Sequence, residues 1–303
     1  MIPFCHMQPR HQEAYNAILY ACPERGCEYS FLNQYLWGRQ EIAFLHGCVL
    51  FFAHFYGRSL YPYPIGPGDR RAALEAIFAD ADERGIPCRI TGITEADLQE
   101  LEEWFPDRMH IRAARDYADY VYAIDDLADL RGRKFQPKRN HVNRFFLEHP
   151  QCRVEPLTPE NLDAAKKLTA QWFATRLEAD PDGDYLLENV ALSRFFNHFS
   201  ELSADGILLM DGDTPLAMTV GSRLSPDTFD IHFEKALENV SGAYAAVNRE
   251  FARYLRLKYP ELRYLNREDD VGLPGLRAAK ESYRPHHMVE KYQAVRREDL
   301  NAD

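Results

Sequence analysis

Four groups of residues in this chain carry side chains that could bind or move charge. The first is Arg133-Lys-Phe-Gln-Pro-Lys-Arg-Asn-His-Val-Asn-Arg-Phe-Phe146, a basic, aromatic stretch in which Lys138 and Arg139 are adjacent. Such a concentration of guanidinium and ammonium suits a phosphate or carboxylate. The second is Glu234-Lys235, within an apolar run expected to be a strand, so the two side chains point to opposite faces. A carboxylate there could hold an amine or act as general base, while a cross-strand salt bridge is the plain structural alternative. The third is Glu268-Asp269-Asp270 after a predicted strand end, beside Asn266 and Arg267. These acids could receive an ammonium group such as that of lysine, or form a solvated acidic turn. The fourth is Arg277 and Lys280, three apart on a short predicted helix and followed by Tyr283. With Lys138 and Arg139 they could hold a phosphate or terminal carboxylate; pairing with surface acids such as Glu281 is the alternative. No G-x-S-x-G, H-E-x-x-H or Walker pattern occurs, so hydrolase and nucleotidase chemistry lack their usual support.

The elements that must position these groups come from a chain of 303 residues, long enough for two cores. Lys and Arg number 36 against 47 Asp and Glu, a net charge of −11, which argues against DNA and against broad contact with other polyanions. A local basic patch can still take an anion. The six cysteines (Cys5, Cys22, Cys27, Cys48, Cys88 and Cys152) form no C-x-x-C pair, and reduced thiols in a cytoplasmic protein are expected. Cys22 and Cys27 with His6 or His11 lack the spacing of common zinc motifs, so no metal is expected. The N-terminus does not read as a signal peptide, and the longest apolar stretch, 42–56, is too short to span a bilayer.

Patterning predicts strands at 42–46, 49–56 and 59–64, helices at 69–84 and 94–105, and strands near 88–91, 109–112 and 119–124. The second half reads as helices at 158–177 and 185–199, then strands at 206–210, 216–224 and 228–237. A helix at 241–259, a strand at 263–266, a helix at 275–282 and a strand at 288–295 complete it. This order of helices and strands is that of the GNAT acyltransferase fold, and the first half reads as a looser copy. The expectation is an α/β (α+β) protein of two tandem GNAT-like domains, each a mixed twisted sheet flanked by helices. Their bounds are 1–127 and 151–303, joined by a basic segment at 128–150, with the active site in the C-terminal domain.

Three further blocks carry a resemblance. They are Lys138-Arg-Asn140-His-Val-Asn143-Arg-Phe145; His232-Phe-Glu-Lys-Ala236 with Gly242-Ala-Tyr244 and Asn248-Arg-Glu-Phe251; and Asn266-Arg-Glu-Asp-Asp270 with Gly275-Leu-Arg277, Lys280 and Ser282-Tyr283. With Tyr61-Pro-Tyr-Pro-Ile-Gly66, these resemble a bacterial family related to the C-terminal catalytic domain of phosphatidylglycerol lysyltransferase, over nearly the whole chain. The resemblance implies tandem GNAT-like domains, as in Fem-type peptidyltransferases that use aminoacyl-tRNA. It also implies a substrate site that includes Asn140, Asn143, Tyr244, Asn248 and Asn266. The chain lacks the multi-span membrane region that delivers lipid in the lysyltransferase, which counts against a lipid acceptor and against stable membrane insertion.

An ordinary GNAT holds the pyrophosphate of acetyl-CoA on backbone N–H groups at a helix start with the pattern R/Q-x-x-G-x-G/A. Here the stretch is Asn239-Val-Ser-Gly242-Ala-Tyr244, which keeps Gly242 but places Asn and a bulky Tyr at the other two positions. Glu234 and Glu238 nearby would repel a pyrophosphate. The leading expectation is therefore transfer of an acyl, in particular aminoacyl, group from an activated donor such as charged tRNA to an amine or hydroxyl of a small-molecule substrate. Glu234, Glu268 or Asp269 would handle the acceptor, with Lys138, Arg139, Arg277 and Lys280 around the anion and Lys235, which partly offsets the nearby acids, also in the substrate site. Two alternatives stand beside it. One is an N-acetyltransferase using acetyl-CoA or another acyl-CoA at Gly242; the other is a non-catalytic sensor for an amino acid or anion.

Overall fold

The apolar run at 42–56 folds as two antiparallel strands, Gln40–Leu45 and Cys48–Phe55. They turn at His46-Gly47, where both residues take positive φ, 54° and 73°. The computed structural model describes residues 1–38, 40–55, 57–180 and 185–301. The chain divides into two compact units. The first comprises Met1–Tyr120, Glu268–Ala278 and Met288–Asp303, and the second Val121–Arg267 and Ala279–His287.

The first unit is built on a seven-stranded sheet. Its order is Cys5–His6, Gln40–Leu45, Cys48–Phe55, Arg58–Pro62, Arg89–Ile93, Tyr292–Arg296 and Met109–Ala113. Helix Arg70–Arg84 starts where the Asp69 carboxylate accepts from the Ala72 N–H (2.9 Å) and ends at Gly85, whose φ of 65° closes it. Its Leu74, Ile77 and Phe78 join Leu50, Phe52, Tyr61 and Ile90 in one buried core. Glu95–Trp104 is the second expected helix, with Thr94 and Asp97 forming the capping box.

The second sheet, whose five strands from Tyr264–Asn266 onward lie in the second unit, has the order His287–Val289, Asp119–Ala123, Tyr264–Asn266, Thr228–Ala236, Thr214–Arg223, Asp205–Asp211 and Arg153–Pro156. Two features of this sheet set up the site. Strand Thr228–Ala236 runs parallel to Tyr264–Asn266, but the pairing covers only Thr228 to Asp230. On its other edge Phe229–Ala236 pairs antiparallel with Ala217–Arg223, with a bulge between Val220 and Gly221. Gly221 is obligatory at the bulge, since a Cβ there would lie 2.2 Å from the Asp230 carbonyl oxygen.

The units do not follow the expected division at 127 and 151. The strand expected at 288–295 is two strands, His287–Val289 in the second sheet and Tyr292–Arg296 in the first. The first sheet takes its strand between Arg89–Ile93 and Met109–Ala113 from the C-terminal end of the chain. The basic segment is not a connector. It folds as helix Gln136–Glu148 within the second unit, with Pro137 in its first turn and Val142 and Phe145 buried.

Candidate functional site

Strand Thr228–Ala236 projects Glu234 and Lys235 to opposite faces, as expected. Glu234 faces helix Ala243–Lys258. Its Oε2 accepts from Asn248 Nδ2 (3.2 Å), and its Oε1 accepts from Arg267 Nη2 (2.9 Å). Arg267 follows directly on Tyr264–Asn266, the partner from which strand Thr228–Ala236 separates after Asp230. The acid therefore stands past the last paired residue, where the two strands part. The guanidinium of Arg267 lies over Tyr283 (4.9 Å to the ring centroid) and Tyr122 (5.7 Å).

Lys138 completes this group from helix Gln136–Glu148, on the stripe shared with buried Val142 and Phe145. Its Nζ is 4.0 Å from the centroid of the same Tyr283 ring. Among the described residues no carboxylate comes within ion-pair reach of it. Burial first, and then the nearby Arg267 charge, lower the Lys138 pKa below the ordinary lysine value; Glu234 acts the other way. Burial also pushes the Tyr283 hydroxyl up to about 12, so this ring stays neutral. Two buried polar atoms of the group have no hydrogen-bond partner, Arg267 Nη1 and Asn248 Oδ1. Unpaired buried groups of this kind are uncommon in native cores, and a water, an ion or a ligand can pair them.

Lys235 belongs to a separate cluster on the other face. Its ammonium pairs with Glu188 (2.6 Å) and lies 3.6 Å from the Trp172 ring centroid. Trp172 Nε1 donates to the hydroxyl of the half-exposed Tyr244 (3.0 Å). A further buried set, Ser222, His232 and Asp230, lies on the paired strands. His232 Nε2 is 2.8 Å from Ser222 Oγ, and its Nδ1 is 3.5 Å from Asp230. Composition and spacing did not single out this set, although His232 opens one of the resemblance blocks.

The other expected residues divide differently. Arg139 does not stand ready for an anion, because its guanidinium donates to the carbonyls of Leu130 and Gly132 (2.6 Å to the latter). It fastens the turn that leads into its own helix. Lys280 donates to the Arg267 carbonyl (2.6 Å), and so holds the backbone of the site rather than a substrate. Asn266 is fully buried at its strand end. Asn140 and Asn143 are exposed on the outer face of their helix. In the rest of the basic stretch Lys134 pairs with Asp126 and Arg144 with Glu148, and just before it Arg131 pairs with Asp129.

Glu268, Asp269 and Arg277 belong to the first unit, so neither unit alone contains the single cage expected from the sequence. Arg277 is held bidentately by the buried Asp270 (2.9 and 2.8 Å) and by Asp116 (2.8 Å). Arg277, with help from Tyr120, holds the Asp270 carboxyl well below the usual carboxylate range. This is an internal ion network, not a free anion site. Glu268 accepts from Asn33 Nδ2 (2.9 Å). Cys27, Asp119 and Asp269 present ligand atoms within 4.8 Å of one another, the grouping of a metal centre. However, the buried Lys291 ammonium already pairs with Asp119 (2.7 Å) and Glu28 (2.6 Å) there. A divalent ion would have to displace it.

Gly242 opens helix Ala243–Lys258 with φ of 80°. A Cβ there would sit 2.4 Å from the His141 carbonyl oxygen and 3.2 Å from Phe145 Cβ. The glycine is thus accounted for by the close approach of helix Gln136–Glu148. That helix brings a carbonyl oxygen to the helix start where an ordinary GNAT holds pyrophosphate.

Two mixed sheets with their helices, and a parallel pair that splits beside a polar group, define a tandem GNAT-like fold of the acyltransferase type. Residues 21–295 match the family described as phosphatidylglycerol lysyltransferase, C-terminal, and the chain belongs to that family. Among solved structures it is similar to a conserved protein of Bacteroides thetaiotaomicron, with 33% identity, TM-score 0.92, and coverage of 98% of this chain and 100% of that one. It is also similar to L-PGS of Bacillus licheniformis, with 16% identity and TM-score 0.69 over 96% of this chain and 92% of that one. An uncharacterised protein of Mycoplasmoides gallisepticum is 23% identical over 202 residues, spanning 65% of this chain and only 62% of that relative. No helix among the described residues is long and apolar enough to cross a membrane.

Proposed function

We propose that the chain transfers an aminoacyl group from an activated ester, such as charged tRNA, to an amine or hydroxyl acceptor. The observation that carries this reading is the group Glu234, Arg267, Asn248 and Lys138, with its buried unpartnered Arg267 Nη1 and Asn248 Oδ1. An unpartnered guanidinium N–H in a buried site is suited to the oxyanion that forms when an ester carbonyl is attacked. Asn248 Oδ1 is suited to an acceptor N–H or O–H, or to the α-ammonium of an aminoacyl group. Membership of the phosphatidylglycerol lysyltransferase C-terminal family and the likeness to L-PGS favour a lysyl or related aminoacyl donor. The crowded helix start at Gly242 disfavours the acetyl-CoA alternative.

The test is a thermal-shift screen of the full chain against CoA, acetyl-CoA, free amino acids, and charged and uncharged tRNA. A ligand at a hundred times its Kd should stabilise by about 2.7 kcal/mol. Stabilisation by charged tRNA or an amino acid without any by CoA supports the reading. Stabilisation by acetyl-CoA alone replaces it with N-acetyl transfer. Amino-acid binding with no transfer to any amine or hydroxyl acceptor leaves a sensor.

A further inference from the structure

We infer that Lys138, not Glu234, is the proton-transfer group of this site. The inference rests on the acyl-transfer reading above. Both Glu234 oxygens are occupied, one by Arg267 and one by Asn248, so accepting a proton would discharge the partner of a buried guanidinium. Lys138 is the opposite case. Its ammonium is half-buried, rests on the Tyr283 face, and has no carboxylate within ion-pair reach among the described residues.

The charged and titratable groups around Lys138 come from several elements. Arg267 shares the Tyr283 ring with it, at 4.9 Å against 4.0 Å from the centroid, and opposes its charge. Glu234 on the strand favours the charge. Tyr283 itself stays protonated. Lys280 is committed to the Arg267 carbonyl, and Arg139 on the same helix to Leu130 and Gly132. Burial and Arg267 together outweigh Glu234, so the neutral amine is reached below the ordinary lysine range.

The step balances with only the donor and acceptor present. The acceptor nitrogen or oxygen forms a bond to the ester carbonyl carbon, and the neutral Lys138 amine takes the proton that the acceptor loses. The tetrahedral intermediate then breaks its bond to the leaving oxygen, and the Lys138 ammonium returns the proton to that oxygen. Arg267 Nη1 faces the carbonyl oxygen as charge builds on it.

Two measurements on the full chain test this. In the first, protein labelled with lysine carrying ¹³C at Cε is titrated by NMR, with Lys138→Arg used to assign the signal. The signal lost in that variant should titrate below those of the exposed surface lysines, as buried Lys235 should too; co-titration with the surface lysines overturns the inference whether or not a donor is known. In the second, transfer is followed against pH with the donor found in the thermal screen. Wild type should gain rate with rising pH. Lys138→Arg, which keeps the positive charge, should lose about a hundredfold or more in turnover together with that pH limb. Lys138→Ala should be rescued by small primary amines. Near-wild-type turnover and an unchanged pH profile in Lys138→Arg overturn the assignment. If no donor gives transfer at all, the acyl-transfer reading fails, while the NMR titration still reports on Lys138.

Discussion

Glu234 is the residue on which the rest of the site depends, because it neutralises Arg267, orients Asn248 and steadies Lys138. Glu234→Gln should leave Arg267 without its counter-charge and destabilise the fold by about 2 kcal/mol, read from urea unfolding. Since Glu234 raises the Lys138 pKa, the same variant should push the Lys138 titration lower still, visible in the ¹³Cε signal. Asp270 gives a second prediction at this scale, with the sign fixed by its depressed folded pKa. Its contribution is fully present above the pKa of an unfolded aspartate and is lost as pH falls toward the folded value. The stability gap between wild type and Asp270→Asn should therefore be constant near neutral pH and close below about pH 4. A gap that does not change with pH would mean that Asp270 acts by packing alone.

Helix Gln136–Glu148 is the element that ties sequence to site. It places Lys138 on Tyr283, and it brings the His141 carbonyl against Gly242. Gly242→Ala must force both a left-handed alanine and a carbonyl clash. It should cost about 2 to 3 kcal/mol and lower the melting temperature before any effect on ligand binding is considered. An alanine variant as stable as wild type would show that the two helices do not approach so closely. The strand split matters in the same way. Three paired residues anchor Thr228–Ala236 to Tyr264–Asn266, and beyond them Glu234 lies beside Arg267 on that edge while it stays paired with Thr219 on the other.

At the scale of the whole chain, the first sheet is completed by residues far away in sequence. A fragment of residues 1–127 lacks strand Tyr292–Arg296, which pairs with both Arg89–Ile93 and Met109–Ala113. Such a fragment should show no cooperative thermal transition by circular dichroism, and appending residues 288–303 should restore one. Cooperative melting of 1–127 alone would contradict this dependence. The overall charge makes another prediction, which rests on the proposed donor. With a net charge of −11 and Arg131, Lys134 and Arg144 already paired to local acids, a tRNA should be gripped near its aminoacyl end only. The plot of log affinity against log salt should then have a slope shallower than about −2, the mark of few phosphate contacts. A steep slope would point to an extended basic surface.

The sequence by itself determined the local elements and the family. Apolar runs rich in Phe, Val and Tyr marked the strands around His46-Gly47, the apolar face of Leu74, Ile77 and Phe78 marked one helix, the capping residues Thr94 and Asp97 marked another, and the motif blocks carried the family. These signals are local, because dihedral preferences, capping and alternation act over a few residues. The opposite directions of Glu234 and Lys235 were legible for the same reason. Only the tertiary structure decided which charges are spent. Arg139, Lys280 and Arg277 look alike in a list of basic residues, yet each is committed to a carbonyl or carboxylate, while Lys138 is left beside an aromatic ring. It also decided that the last strand returns to the first sheet, so that the basic segment belongs inside a unit instead of between two. Burial, ion pairing and strand partnership join residues more than a hundred positions apart, and no local pattern encodes them.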